Sequence, residues 1–125
     1  KYQLKELGVI LTDSRLTPLR WGVTGTSIAH SGFLALNNYI GKPDIYGKLL
    51  HAAKANLADS LATAAVTEMG EGNEQTPLVV ITDTKLVHFQ KRNPTKKELE
   101  GFTIAMQDDV YSSLLTSVTW EKGKK

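Results

Sequence analysis

Two stretches of the chain carry the residue types that bind phosphates and hard cations. The first is Thr12-Asp13-Ser14, directly after the apolar run Leu7-Gly8-Val9-Ile10-Leu11. A carboxylate followed by a hydroxyl sets two hard oxygen ligands side by side. Mg²⁺ or Mn²⁺ with nucleotide phosphates is usually held by one or two carboxylates plus the phosphate oxygens. Asp and Ser also bond readily to nearby backbone groups, so the same residues equally begin an ordinary turn, and locally that is the plainer reading. The second stretch is Met69-Gly70-Glu71-Gly72-Asn73-Glu74-Gln75-Thr76. Its glycines let the backbone approach a ligand and turn N–H groups together toward phosphate oxygens. Glu71 can add a metal ligand, and Asn73 and Gln75 offer amides that read a nucleobase or a carboxylate. The closing Gly-Lys-Ser/Thr of a Walker loop is absent, and taken alone the stretch is a helix cap running into a loop.

Other chemistry is weakly represented. Arg15 and Arg20 flank the loop after Asp13 and are candidates for clamping a phosphate or carboxylate. His30, His51 and His88 lack metal-ligand spacing, Asp108-Asp109 reads as a helix start, and Ser14, Ser27 and Ser31 sit in no nucleophile elbow. There are no cysteines, which excludes a disulfide scaffold and thiolate chemistry.

The elements that must position these residues read as α+β: a mixed β-sheet with one long Ala-rich helix packed on it. Leu7–Leu11 is expected as a buried strand ending in the polar Thr12-Asp13-Ser14 loop, and Arg15–Thr26 as loop. Ser27–Leu36 is a candidate strand. From Asn56 to Met69, Leu57, Leu61 and Ala65 recur every four residues, predicting a helix capped by Asn56, with Asp59 in its first turn and a left-handed Gly70 after it. Pro77 then opens Leu78-Val79-Val80-Ile81, expected as a second buried strand, with Leu86–Phe89 as a third. Thr95–Glu100 and Asp108–Leu115 read as short helices, the latter capped by Asp108.

The 125 residues carry 15 Lys+Arg against 13 Asp+Glu, a net charge of +2, with no basic stripe interleaved with aromatics, so nucleic acid is not an expected partner. No apolar run approaches the ~20 residues a membrane helix needs, so no membrane partner is expected either. The chain opens without an initiator methionine and enters Leu7–Leu11 almost at once, as a cut end would.

The order of these pieces resembles the coenzyme F-420:γ-glutamyl ligase family. Val9-Ile10-Leu11-Thr12-Asp13-Ser14, then Pro18-Leu19-Arg20 and Gly22, look like its strand and metal-binding turn. Gly41, Asp44-Ile45-Tyr46-Gly47, Ala58-Asp59 and Ala64-Ala65 fall at the family's spacing, and Met69–Pro77 is similar to the loop of its folate-type γ-glutamate ligase branch. The likeness is colinear from Leu7 to Ile81 and fades beyond Asp83. It implies that residues 1–125 are the C-terminal domain of a two-part homodimeric enzyme whose N-terminal half is absent, and the lack of cysteines suits a cytoplasmic protein. Such an enzyme uses GTP with Mg²⁺ or Mn²⁺ to join L-glutamate through an amide bond to a deazaflavin- or folate-type coenzyme. By resemblance Asp13, Ser14 and Glu71 bind the metal, and Met69, Gly70, Glu71, Gly72, Asn73, Glu74, Gln75 and Thr76 line the nucleotide. Thr24-Gly25 stands where the family usually has Thr-Asp, which bears on acceptor specificity. The rival classes are a nucleotide- or metal-binding module without catalysis and a structural assembly domain.

Overall fold

In a computed structural model, which describes residues 3–123, the polar triplet lies inside a strand. β1 (Val9–Leu16) runs through Thr12-Asp13-Ser14 and pairs antiparallel with β2 (Val23–Ser31), with a register shift between Leu11 and Thr12. Arg15, Leu16, Val23 and Thr24, expected in a loop, are ladder residues, because each finds a partner in the opposing strand. Ile10, Thr12 and Ser14 are half-buried while Val9, Leu11, Asp13 and Arg15 are exposed, the period-2 alternation of a strand covered on one face. The buried strand expected over Leu7–Leu11 is therefore covered on one side only.

The covering element is α1 (Leu57–Met69). Its N-terminus is held twice: Asn56 Oδ1 accepts the Asp59 N–H at 3.0 Å, and the Ala35 carbonyl accepts the N–H of Leu57 at 2.8 Å. Gly70 ends it with φ of 77°, the left-handed region where a Cβ is strained, and returns its N–H to the Val66 carbonyl at 2.9 Å. Small residues set how close the helix lies. Ala58 and Ala62 are fully buried, and a Cβ built on Gly25 of β2 would fall 2.5 Å from the Ala62 carbonyl oxygen.

A second antiparallel pair, β3 (Leu36–Asn38) with β4 (Lys54–Asn56), leads into α1. Phe33, Ala35, Leu57, Ala58 and Ala62 make the core, with Ile10, Leu61, Val87 and Phe102 packed around it. α2 (Lys96–Glu100) starts in a capping box in which Thr95 and Glu98 exchange bonds. Glu98 also takes a two-pronged bond from Arg92 at 2.7 and 2.9 Å, and that guanidinium holds its carboxyl far below the usual carboxylate range.

Four further expectations are corrected. The sheets are two antiparallel pairs, not one mixed sheet. Leu78–Ile81 forms no strand: Leu78 is 81% and Val80 79% exposed, since no described strand runs beside them to take their backbone bonds. Leu86–Phe89 contributes a single bridge, Phe33 to Phe89. Asp108 closes a 3₁₀ turn (Met106–Asp108), and α3 (Ser112–Leu115) begins four residues later without a side-chain cap. No helix among the described residues is long and apolar enough to cross a membrane.

Candidate functional site

The turn at Gly70 folds the segment after α1 back onto β1. Residues 57 positions apart meet there: the Ser14 hydroxyl donates to Glu71 Oε1, and the Thr12 hydroxyl lies 3.9 Å from Met69 Sδ. Two of the three oxygen ligands expected from the sequence are thus in contact, while Asp13, the residue before Ser14 on β1, lies on the strand's exposed face. The exposed Asp13 carboxylate accepts only the Ser14 N–H, at 2.8 Å, among the described residues. This local bond is the one an ordinary turn would make, but here it sits within a paired strand.

The Gly70–Thr76 loop is exposed and bonded to itself. Glu74 Oε2 accepts the Gly72 N–H at 2.8 Å, Gln75 Nε2 donates to Asn73 Oδ1 at 3.2 Å, and the Thr76 hydroxyl donates to the Met69 carbonyl at 2.8 Å. A carboxylate oxygen of the loop itself therefore already rests on the Gly72 N–H. The two glycines differ. A Cβ on Gly70 would be strained by φ and meet the Glu74 side chain at 2.3 Å, whereas one on Gly72 meets nothing nearer than 3.5 Å. Gly70→Ala should lower stability by about 1–3 kcal/mol, because φ of 77° with ψ of 178° is a region essentially only glycine occupies, while Gly72→Val should leave the thermal midpoint within a degree or two of wild type. Differential scanning fluorimetry on the two variants decides it, and equal losses would show that both positions are structural caps.

Arg15 reaches across to α1, its Nη2 3.8 Å from Asp59 Oδ2. Arg20 is exposed on the loop between β1 and β2 and forms no ion pair among the described residues. The histidines are not brought together. His30 packs against Phe33 and Phe102 at 5.4 and 6.2 Å between ring centroids, and its burial lowers its pKa against the opposing pull of Glu98. No group of three or more His, Cys, Asp or Glu suited to a metal occurs among the described residues. The structure brings together one carboxylate and one hydroxyl, Glu71 and Ser14, with the Asp13 carboxylate one residue away on β1; all three are oxygen donors, the type a hard cation takes.

Two features lay beyond sequence reasoning. Asp59, read as a helix-end charge, accepts bonds from Thr26, Ser27 and Asn56. Gly25, read through acceptor specificity, is the point where β2 touches the helix backbone. The sequence signal for the first was an Asp three residues after a capping Asn. For the second there was none beyond a glycine inside an alternating run.

Residues 1–83 match the sequence model of the family F420-0:Gamma-glutamyl ligase. The chain is 40% identical over 95 residues to a coenzyme F420:L-glutamate ligase of Methanococcus maripaludis, covering 76% of this chain and 37% of that protein. It is 42% identical over 77 residues to the protein of the same description from Methanocaldococcus jannaschii, covering 62% and 31%. For the one from Methanothermobacter thermautotrophicus the figures are 35% over 103 residues, 78% and 41%. The chain thus spans about a third of the length of the first two relatives.

Proposed function

Because the chain belongs to the F420-0:Gamma-glutamyl ligase family, we propose that it supplies one share of the active site of an enzyme joining L-glutamate to a coenzyme acceptor. The acceptor is of the deazaflavin type, with a folate-type compound as the alternative. The observation that carries this reading is the contact of Ser14 on β1 with Glu71 beyond α1, which gathers hard oxygen donors beside a glycine-containing loop.

An amide does not form spontaneously from a carboxylate and an amine in water, because the carboxylate is a poor electrophile. The acceptor's carboxylate attacks the γ-phosphorus of GTP, GDP leaves, and an acyl-phosphate results. The glutamate amine then attacks the acyl carbon, losing a proton as inorganic phosphate departs. Asp13, Ser14 and Glu71 would hold Mg²⁺ or Mn²⁺, which when bound neutralises phosphate charge. Met69–Thr76 would line the nucleotide, with the Gly72 N–H passing from Glu74 to a phosphate oxygen. This chain brings no cysteine to the site, and its own part is positioning and electrostatics.

Two carboxylates and a hydroxyl fall short of a six-oxygen shell, so we assign the remaining ligands to phosphates, water and residues outside this chain. The exposed apolar side chains of β1, Val9 and Leu11, each 60% accessible, support assembly of the cytoplasmic enzyme as a homodimer.

Incubating the complete enzyme with GTP, Mg²⁺, L-glutamate and a deazaflavin acceptor should yield a glutamyl adduct by mass spectrometry, with one GDP and one phosphate per bond formed. Omitting GTP or chelating the metal should abolish it. GTP binding without any adduct on either acceptor type would leave a nucleotide-binding module instead of a ligase.

A further inference from the structure

Leu78–Ile81 and the free edge of β1 border one apolar groove that stays open among the described residues. β1 pairs with β2 alone, so its other edge carries unpaired N–H and carbonyl groups among those residues. The groove, about 420 Å³, is lined on one side by Gly8, Val9 and Ile10. Consecutive strand residues point to opposite faces, so a groove that touches all three runs along the edge of the strand. That edge is a different surface from the open face of β1 assigned above to the dimer. Leu61, Ala65 and Met69 of α1 line the groove as well, and Leu78–Ile81 closes the far side. No backbone group of Leu78–Ile81 makes a hydrogen bond among the described residues.

The run itself has the composition of a strand covered on both faces. Leu78 and Val80 fall on one side and Val79 and Ile81 on the other, all of them apolar. Strand edges that end in water are usually blunted by charge, proline or a bulge. From Leu78 to Thr82 the sequence has neither charge nor proline. Most of the length of the first two ligases compared above lies outside the span this chain matches, which is ample for a further strand.

We infer that this groove receives an extended β-strand from the part of the ligase outside residues 1–125. The strand pairs with the backbone of Leu78–Ile81 and lays apolar side chains against Leu61, Ala65 and Met69. The inference rests on the reading of this chain as one share of a ligase, and it gives that reading a docking surface. Its consequence for the site is direct. Thr12 and Met69 both line the groove, with the Thr12 hydroxyl 3.9 Å from Met69 Sδ, and each lies two residues from the Ser14–Glu71 contact. A strand seated there arrives beside the oxygen donors, on a side from which ligands outside this chain can reach the cation.

Hydrogen exchange on the complete, unmodified enzyme, read by mass spectrometry without GTP or acceptor, tests the pairing. The amides of Leu78–Ile81 should exchange on the order of a hundredfold more slowly than their intrinsic rate, as ladder amides do. Exchange near the intrinsic rate overturns the inference. The partner is identified by placing photoreactive p-benzoylphenylalanine at Thr82, an exposed residue lining the groove, and sequencing the cross-linked peptides of the complete enzyme. The adduct should join position 82 to a peptide outside residues 1–125. Adducts confined to residues 1–125 would seat a second copy or a segment of this same span in the groove and overturn the inference, as would the absence of any adduct. Should the labelled protein not fold, exchange on the unmodified enzyme still tests the pairing. Neither measurement uses the reaction, so failed glutamate ligation would sink the ligase reading alone, whereas fast exchange at Leu78–Ile81 would sink the docking surface alone.

Discussion

Asp13→Ala is expected to weaken metal-dependent GTP binding by about a hundredfold or more while leaving the fold intact. Loss of a partner that only orients a metal ligand costs about 10–100-fold in affinity, and Asp13 is assigned a direct bond to the cation. The fold should not notice. Asp13 is exposed and among the described residues accepts a single bond, from the N–H of its own neighbour Ser14. Surface changes of that kind stay within about 0.5 kcal/mol. Calorimetric titration of the complete enzyme with GTP, in Mg²⁺ and again in chelator, reads the effect directly. If the mutant keeps wild-type affinity and wild-type metal dependence, the Asp13-Ser14-Glu71 assignment is wrong. Ser14→Ala should follow in the same direction with a smaller loss, since it removes one neutral ligand and releases Glu71 from β1.

Gly25→Val is the substitution with the largest expected effect on stability. A Cβ there would lie 2.5 Å from the Ala62 carbonyl oxygen, 2.7 Å from its carbon and 2.8 Å from Val66 Cγ2. Backbone atoms of a helix cannot rotate aside as a side chain can, so α1 must lift from β2. The lift also strains the bond from the Thr63 hydroxyl to the Gly25 carbonyl, 2.8 Å in the native packing. Overpacking of this severity costs about 3 kcal/mol. Urea unfolding should show the midpoint falling well below wild type, with Gly72→Ala as a control that stays near it. A Gly25→Val chain as stable as wild type would mean that the helix does not lie on the strand at this distance.

The sequence by itself determined the helix. α1 begins at Leu57 behind Asn56 and ends before Gly70, as the spacing of Leu57, Leu61 and Ala65 and the flanking residues required. The Thr95 start of α2 was legible for the same reason. Helix signals are local, because each bond closes within four residues and each cap lies within one turn. The candidate donors Asp13, Ser14 and Glu71 were also legible as residue types. The contact of Ser14 with Glu71 was not. Whether Thr12-Asp13-Ser14 is turn or strand depends on Thr26 and Ser27, which take up its register from across a loop. The contact of Ser14 with Glu71 depends on the length of α1 and on the angle at Gly70. Leu78–Ile81 shows the converse: an apolar, β-branched run with every local mark of a strand stays unpaired when no neighbouring backbone runs beside it. A strand is completed by a partner far away in the chain, and so is the Ser14–Glu71 contact. Only the tertiary structure decides which distant residues arrive.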